Sequence, residues 1–409
     1  MTSYVEALEH LNQTVELHEK WDLEKISQII ARPNATNIQI VGTNGKGTTA
    51  LFLQKILCAH GFNVGLFTSP HLVNVTERIR YNANCISANE FGKVYMELRD
   101  IFDEKQLSYF EKLMVVAAEF FCRHPVDFVI WEAGLGGRLD ATTAIKNDIV
   151  LFTPIAKDHS EYLGDTLEQI AYEKFFVSQY AKKVYSSPQS QIVQNFMQKQ
   201  AEIYCKEIFF IPQVSNFYIA ETGTVFDIDN QKITIPMLGK HYAQNAALAW
   251  NAAQQTLKQK FSVEAGKQAL ENAAWPGRLQ IVQRNADKYV FCCAHNMHSL
   301  QSDLEVLKVL REKDILSKNT GVIFAVTRNR PAQQHLQMIS KIFPNIVVTA
   351  ANAQHPIPQE LQQQNYAIAN EFGDAVRVLQ KQGIHDYLII GSIYLVGEAY
   401  KYLELEVRS

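Results

Sequence analysis

The chain has 409 residues, 47% hydrophobic and 20% charged, with 39 Lys and Arg against 42 Asp and Glu. A net charge of −3 excludes the broad basic surface of a general nucleic-acid binder, and the apolar fraction excludes extended disorder. Single cores stop growing beyond roughly 250–300 residues, so the length predicts two domains.

The N-terminal residues, with Glu6, Glu9 and His10, lack the basic start and apolar run of a signal peptide. The longest apolar stretch, residues 388–397, falls short of the ~20 residues that span a bilayer. Six cysteines at 58, 85, 122, 205, 292 and 293 contain no C-x-x-C pair, so neither a disulfide scaffold nor a zinc site is expected. The expectation is a reduced cytoplasmic enzyme without a membrane or nucleic-acid partner.

The first half alternates strand-like and helix-like segments. Residues 38–41 form a short apolar run that meets a Gly-rich turn; 49–60 carries helical periodicity and ends at Gly61; 64–67 reads as a second strand. Residues 110–121 form a strongly apolar helix, and 127–131 and 149–152 read as further buried strands. This order predicts a mostly parallel sheet covered by helices, with ligands at the carboxyl ends of the strands. Short strand-like pieces at 208–211, 217–220, 225–228 and 233–235 predict an antiparallel excursion off that sheet. Helical patterns return at 243–257 and 263–273. A second alternating series, with strands at 289–292, 322–326, 346–349 and 387–390, predicts a smaller α/β domain. The boundary is placed near residue 284, giving domains of 1–284 and 285–409.

Between the first strand and its helix lies Gly42-Thr43-Asn44-Gly45-Lys46-Gly47-Thr48-Thr49. Glycines let successive N–H groups turn toward phosphate oxygens, and the helix N-terminus adds positive potential. Lys46 supplies a point charge for the β- and γ-phosphates, and a following hydroxyl can approach Mg²⁺. Gly47 separates Lys46 from Thr48, so the loop departs from the usual G-x-x-x-x-G-K-[ST] pattern. ATP binding is the reading these residues support.

The string from Val41 to Thr49 resembles the shortened phosphate loop of the Mur ligase superfamily, and within it the folylpolyglutamate synthase/dihydrofolate synthase family. Thr68-Ser69-Pro70-His71-Leu72 with Glu77-Arg78-Ile79 is similar to the family's S-P-H-L…E-R-I segment. Glu132-Ala133-Gly134-Leu135-Gly136-Gly137-Arg138-Leu139-Asp140-Ala141-Thr142 resembles its E-x-G-L-G-G-R-L-D-A-T signature. Asp158-His159, Tyr172-Glu173-Lys174, His241 to Asn245, Trp275-Pro276-Gly277-Arg278, Ala294-His295-Asn296 and Gly391 to Val396 come in family order.

The resemblance implies an α/β chain in which a phosphate-loop ATP-binding domain carries the pterin-acid site and a smaller Mur-ligase-like domain takes the amino-acid side. It implies an ATP-dependent ligase that phosphorylates a carboxylate and joins the acyl phosphate to L-glutamate. It also implies ATP contacts from Thr43, Asn44, Gly45, Lys46, Gly47, Thr48, Asn245, Arg278 and the position of Cys292. Two Mg²⁺ ions would be held by Ser69, Glu132, His159 and Lys174, with Lys174 at the position that this family carbamylates. Lys46, Lys174, His159 and His295 are the catalytic candidates. The acid, dihydropteroate or a reduced folate, would lie against Thr14, Val15, Glu16, Leu17, Arg78, Phe110, Leu139, Asp140 and Ala141; Phe110 also reads as ordinary core. A monomer is expected.

Several positions depart from the family pattern. Its D-x-A-H-N reads Cys292-Cys293-Ala294-His295-Asn296 here, and a thiol cannot reproduce a carboxylate. Its D-K-D reads Arg328-Asn329-Arg330, and a later arginine-containing block is replaced by residues 350–356, where His355 is the candidate cation. Thr153-Pro154-Ile155-Ala156-Lys157 and Phe175-Phe176 are also atypical. Two alternatives therefore stand beside folate synthesis: a paralogous Mur-type amide ligase with another acid or amino acid, and a non-catalytic ATP-binding protein with a degenerate C-terminal domain.

Overall fold

The computed structural model describes residues 2–14, 22–221, 223–327, 330–364 and 366–407. The candidates Val15, Glu16 and Leu17, and the pair Arg328 and Asn329, lie outside them. The chain divides into two compact units, Met1–Ser215 with Gln244–Ala273, and Asn216–Ala243 with Ala274–Ser409.

The first unit is built on β1 (Thr36–Val41), β2 (Val64–Phe67), β3 (Ile79–Tyr81), β4 (Asn84–Cys85), β5 (Phe128–Glu132), β6 (Ile149–Phe152), β7 (Lys183–Ser186) and β8 (Ile208–Phe210), ordered β4-β3-β2-β5-β1-β6-β7-β8. β2, β5, β1, β6, β7 and β8 run parallel, and β3 and β4 add antiparallel strands at one edge. Residues 208–210 thus close the other edge of the parallel sheet rather than starting an antiparallel excursion. Three residues are too few for hydrophobic alternation to reveal which partner a strand takes.

β1 carries two polar residues into the core, because the 3₁₀ turn Ala141–Ile145 covers that face. Gln39 donates to the hydroxyls of Thr142 and Thr143 at 2.7 and 2.9 Å, and Asn147 donates to Gln39 at 3.2 Å. Trp131 on β5 donates its indole N–H to Asn37 at 3.0 Å. These pairings remove the penalty that the buried Asn37 and Gln39 amides would otherwise carry. Helix Tyr109–Cys122 buries its apolar face in the same core, with Leu113, Val116, Ala117 and Phe121 packed with Phe67, Val129 and Trp131. Helix Lys46–Ala59 packs against β1, β2 and β5.

The second unit holds a three-stranded sheet, β9 (Ser215–Ala220), β10 (Gly223–Ile228) and β11 (Gln231–Ile235), in which β10 and β11 are antiparallel. Its six-stranded sheet has the order β12-β13-β17-β14-β15-β16, from β12 (Arg278–Arg284), β13 (Asp287–Cys292), β14 (Gly321–Phe324), β15 (Asn345–Val348), β16 (Ala367–Ile368) and β17 (Asp386–Ile390). All neighbours run parallel except β12, which pairs antiparallel with β13. The expected boundary near 284 falls inside that hairpin: the second compact unit takes in Asn216–Ala243, and its longer part begins at Ala274. No helix is long and apolar enough to cross a membrane among the described residues.

Asp148, just before β6, ties the sheet to its surroundings. It accepts the Asn37 N–H at 3.1 Å and pairs with Lys182 and Arg32 at 3.0 and 3.3 Å. Partial burial alone would raise its pKa, but the Lys182 bond, the Asn37 N–H and the two cations together lower it. A depressed carboxylate contributes stability above its unfolded pKa of about 3.9 and loses it as pH falls through the folded value. Asp148→Asn should therefore cost about 1 kcal/mol in urea unfolding at pH 7, with the deficit shrinking below pH 4.

Candidate active site

The phosphate loop is shaped by the strand next to it. Thr43 N–H donates to the Pro154 carbonyl at 2.9 Å; Thr43 Oγ1 donates to the Ala156 carbonyl and accepts its N–H, both at 3.0 Å. Gln189 holds that second loop in turn, donating to the Thr153 carbonyl at 3.1 Å and accepting the Ile155 N–H at 2.9 Å. The atypical segment 153–156 is thus the clamp on the loop's first hydroxyl, and nothing local in the sequence marks Gln189 as its support.

Gly45 opens helix Lys46–Ala59 with φ +89°, a left-handed conformation that glycine adopts without strain. Asn245, buried on helix Lys240–Leu257, lies so near that a Cβ on Gly45 would stand 2.5 Å from its Oδ1. Lys46 folds back over the loop and donates to the carbonyls of Gly42 and Thr43, each at 3.2 Å. Thr48 is buried in the first turn of the helix.

Glu132 ends β5 directly beside this turn. Its Oε2 accepts the Ser69 N–H at 2.9 Å, and a Cβ on Gly47 would come within 3.1 Å of Oε2 and 3.3 Å of Oε1. Glu132, Ser69 and the helix N-terminus therefore share one corner of the sheet. Lys174, 4% exposed on helix Leu167–Phe175, donates to the Gly42 carbonyl at 3.0 Å. Burial and the neighbouring Lys46 lower its pKa to about 7 against the opposing pull of Asp158, Asp140 and Glu173. His159 has a left-handed backbone at φ 51° and caps the short helix Ser160–Leu163; its ring stands 3.9 Å from both Asp158 and Glu161.

The Gly-rich segment after Glu132 is locked to the helix that carries Lys174. Arg138 N–H donates to the Glu173 carbonyl at 2.7 Å, and its guanidinium pairs with the Glu173 carboxylate at 3.0 Å. Asp140 differs from the expectation of a substrate acceptor. Its Oδ2 takes the Leu135 N–H at 2.9 Å, Oδ1 takes the Thr142 N–H at 3.0 Å and hydroxyl, and the side chain is buried. Its carboxylate organises its own loop, so what the loop presents outward is Gly134, exposed, with Leu135 and Leu139 half-buried, while Ala141 is buried.

Phe110 is half-buried, its ring 5.5 Å from that of Phe67 and lying against the Gly134 backbone, so it is both core and loop wall. Arg78 is buried, donates Nε–H to His71 Nδ1 at 2.9 Å and lies 5.3 Å over the Tyr109 ring. Glu77 takes three backbone N–H groups, of Leu72, Val73 and Asn74, at 2.6–2.8 Å, and thereby shapes the S-P-H-L turn. Thr14 accepts from the buried Lys112 ammonium at 2.9 Å.

In the second unit, Arg278 begins β12, Cys292 ends β13 and His295 comes three residues later. His295 Nδ1 is 2.9 Å from the Cys293 carbonyl. Cys292 donates to Asp303 at 3.0 Å, a carboxylate that reading the chain in order did not connect with it. His355 stacks on Tyr394 with ring centroids 4.6 Å apart.

The residues of the first unit fit a magnesium nucleotide. Among the described residues no group of three His, Cys, Asp or Glu side chains forms an all-protein cage. One carboxylate with nearby hydroxyls at a phosphate loop is the sparse oxygen set that Mg²⁺ accepts when phosphates and water complete its shell. Gly47→Ala tests this corner: its φ is not left-handed, so the helix should form, while the added methyl displaces Glu132. Magnesium-dependent ATP affinity, titrated by calorimetry, should fall about tenfold or more with the melting temperature nearly unchanged. Gly45→Ala, which is strained and strikes Asn245, should lose nucleotide affinity with or without the metal.

The Mur ligase middle domain model matches residues 40–253. The chain is 27% identical to the dihydrofolate synthase/folylpolyglutamate synthase of Bacillus subtilis, over 98% of this chain and all of that protein. It is 30% identical to the Escherichia coli protein of that name, over 77% of each. It superposes on a Mycobacterium tuberculosis folylpolyglutamate synthase solved with ADP and AMPPCP, with TM-score 0.88 and 23% identity, over 100% of this chain and 99% of that one. A bifunctional folylpolyglutamate synthase/dihydrofolate synthase solved with Mn, AMPPNP and L-glutamate superposes with TM-score 0.80 and 24% identity, over 98% of each chain. The arrangement of phosphate loop, strand-end glutamate and Gly-rich loop thus lies on a fold shared over the whole chain, and the chain belongs to the dihydrofolate synthase/folylpolyglutamate synthase family of Mur-type ligases.

Proposed function

We propose that this chain is an ATP-dependent ligase that converts the carboxylate of a pterin-bearing acid to an acyl phosphate and joins it to the amino group of L-glutamate. The observation that carries the reading is the meeting of Lys46, Glu132 with Ser69, and Lys174 around the Gly42–Thr48 loop. A carboxylate is a poor electrophile, so amide formation needs an activated acyl group. In the first step a substrate carboxylate oxygen bonds to the γ-phosphorus as the bond to the β-phosphate oxygen breaks, releasing ADP. In the second the amine bonds to the acyl carbon, phosphate leaves with the C–O electron pair, and the amine proton passes to solvent.

Catalysis of such a transfer is positioning and charge neutralisation. Loop N–H groups and Lys46 hold the phosphates, with Thr43, Asn44, Gly45, Gly47, Thr48 and Asn245 shaping the nucleotide side; Arg278 and Cys292 hold the positions that the family resemblance assigns to further nucleotide contacts. Ser69, Glu132, His159 and a carbamylated Lys174 would hold two Mg²⁺ ions, which when bound neutralise charge on the phosphoryl oxygens. A lysine held to about 7 is substantially uncharged near neutrality, the state whose nitrogen adds to CO₂ and loses a proton to give a carbamate. Arg78 draws in the acid's negative charge, and Phe110 with the Gly134–Leu139 rim receives its ring. His295 belongs to the amino-acid side. The protein works as a cytoplasmic monomer. Arg330 favours the second reading, a ligase of the same chemistry with another acid or amine.

ATP consumption with Mg²⁺, measured with dihydropteroate or a reduced folate and with or without L-glutamate, decides between them. ADP release that needs both partners, with a product one glutamyl unit heavier by mass, is expected. Nucleotide binding without turnover on either acid would favour the second reading or the non-catalytic alternative, which a panel of other acids and amines separates. Lys46→Ala and Glu132→Ala should each lower amide formation by about 100-fold or more, and turnover retained in both would refute the assignment. With ¹³C-bicarbonate, a carbamate carbon signal should appear in the wild type and vanish in Lys174→Ala.

A further inference from the structure

The second unit contains a buried carboxylate that the roles above leave unused. Asp303 lies on helix Met297–Glu312, and its side chain is 7% exposed. Cys292, the last residue of β13, donates its thiol to Asp303 Oδ2 at 3.0 Å, and His241 Nε2 stands 3.2 Å from Oδ1. A buried carboxylate persists only where its oxygens find donors and its charge is balanced. Burial and the adjacent Asp303 drive the Cys292 thiol far above its usual range, so it stays protonated and donates. A cation stands at the same strand end: Arg278 is the register partner of Cys292 across the antiparallel β12–β13 pair.

The imidazole in this group is held on several sides. A Cβ on Gly239 would reach within 2.8 Å of His241 Cε1, and the His241 and Tyr242 rings stand 4.0 Å apart. His298, on the first turn of the Asp303 helix, lies in the same electrostatic neighbourhood and has its pKa lowered by burial and by His241. All of this surrounds the carboxyl end of β13, which runs parallel to β17, and open α/β sheets bind ligands at such ends. The position that ends β13 carries a thiol, and the carboxylate next to it comes from eleven residues further along the chain.

We propose that Asp303 is a positioning residue for the nucleotide-contacting group of this unit, supplying from its helix the carboxylate that the end of β13 lacks, and acting through His241 and Arg278. This rests on the nucleotide-binding reading above and deepens it. The Cys292–Asp303 pair is one unit in which the acid and its donor have places that can be exchanged. The charge belongs to the pair, and the strand-end residue alone does not reveal it.

The test uses the full chain, with ADP and Mg²⁺ titrated by calorimetry, and the ATP KM and kcat measured separately. Asp303→Asn keeps the shape and removes the charge; it should raise the ADP Kd and the ATP KM about tenfold while changing kcat less than KM. Asp303→Cys should do the same. The exchange variant Cys292→Asp/Asp303→Cys moves the carboxylate across the same pair, and it should recover affinity to within about threefold of wild type. Melting temperatures are recorded for each. If Asp303→Asn lowers only the melting temperature, or if the exchange variant binds no better than Asp303→Cys, the proposal is overturned. A wild type that binds no ADP would remove the nucleotide reading as well, whereas a wild type that binds ADP no more tightly than Asp303→Asn would remove this inference alone.

Discussion

Parallel pairing of β1 between β5 and β6 is the constraint on which the site in the first unit depends. The registers set Ile40 opposite Glu132 and Val41 opposite Phe152, so three chain segments leave the sheet at one level. Each strand leads into a different functional piece: β1 into the phosphate loop, β5 into the glutamate and Gly-rich loop, and β6 into the clamp of residues 153–156. A shift of one register position would turn every side chain of a strand to the other face and separate these pieces. The buried amides of Asn37 and Gln39 help to specify that register. Their partners Trp131, Thr142, Thr143 and Asn147 stand in reach only when the strands are aligned as they are.

Charge is arranged on top of this geometry. Lys46 and Lys174 converge on one carbonyl, that of Gly42, at the positive end of a helix. Such a concentration of donors and cations favours a polyanion, and it is tolerable without one because the buried member, Lys174, gives up its proton easily. The carboxylates nearby divide into two kinds. Asp140 and Glu77 are bound by N–H groups of their own loops and set loop shape, whereas Glu132 meets the Ser69 N–H from a distant segment beside the phosphate loop. The residue type is the same in both cases, and only its hydrogen-bond partners separate the roles.

The second unit repeats the principle with a different solution. Its parallel strands β13, β17 and β14 again bring loops together at their carboxyl ends. Cys292 puts an uncharged thiol at one of those ends, and Asp303, from helix Met297–Glu312, stands beside it. A substitution that reads as a loss along the chain is, in the folded unit, one half of a pair.

Periodicity and local turn chemistry made much of this protein legible from the chain. The strand–turn–helix order, the phosphate loop, the segment from Glu132 to Thr142 and the α/β character of both units arise from residues near one another in sequence, where glycine, hydrophobic spacing and motif act directly. Tertiary structure alone decided what depends on distant partners. It placed residues 208–210 on the parallel sheet, grouped 216–243 with the second compact unit, turned Asp140 inward, set Gln189 behind the loop of residues 153–156, and joined Asp303 to Cys292 and His241. A side chain's spacing records the face it occupies, but not which strand, loop or acid meets it there; those meetings are set by non-local pairing and by burial, which exist only once the chain has folded.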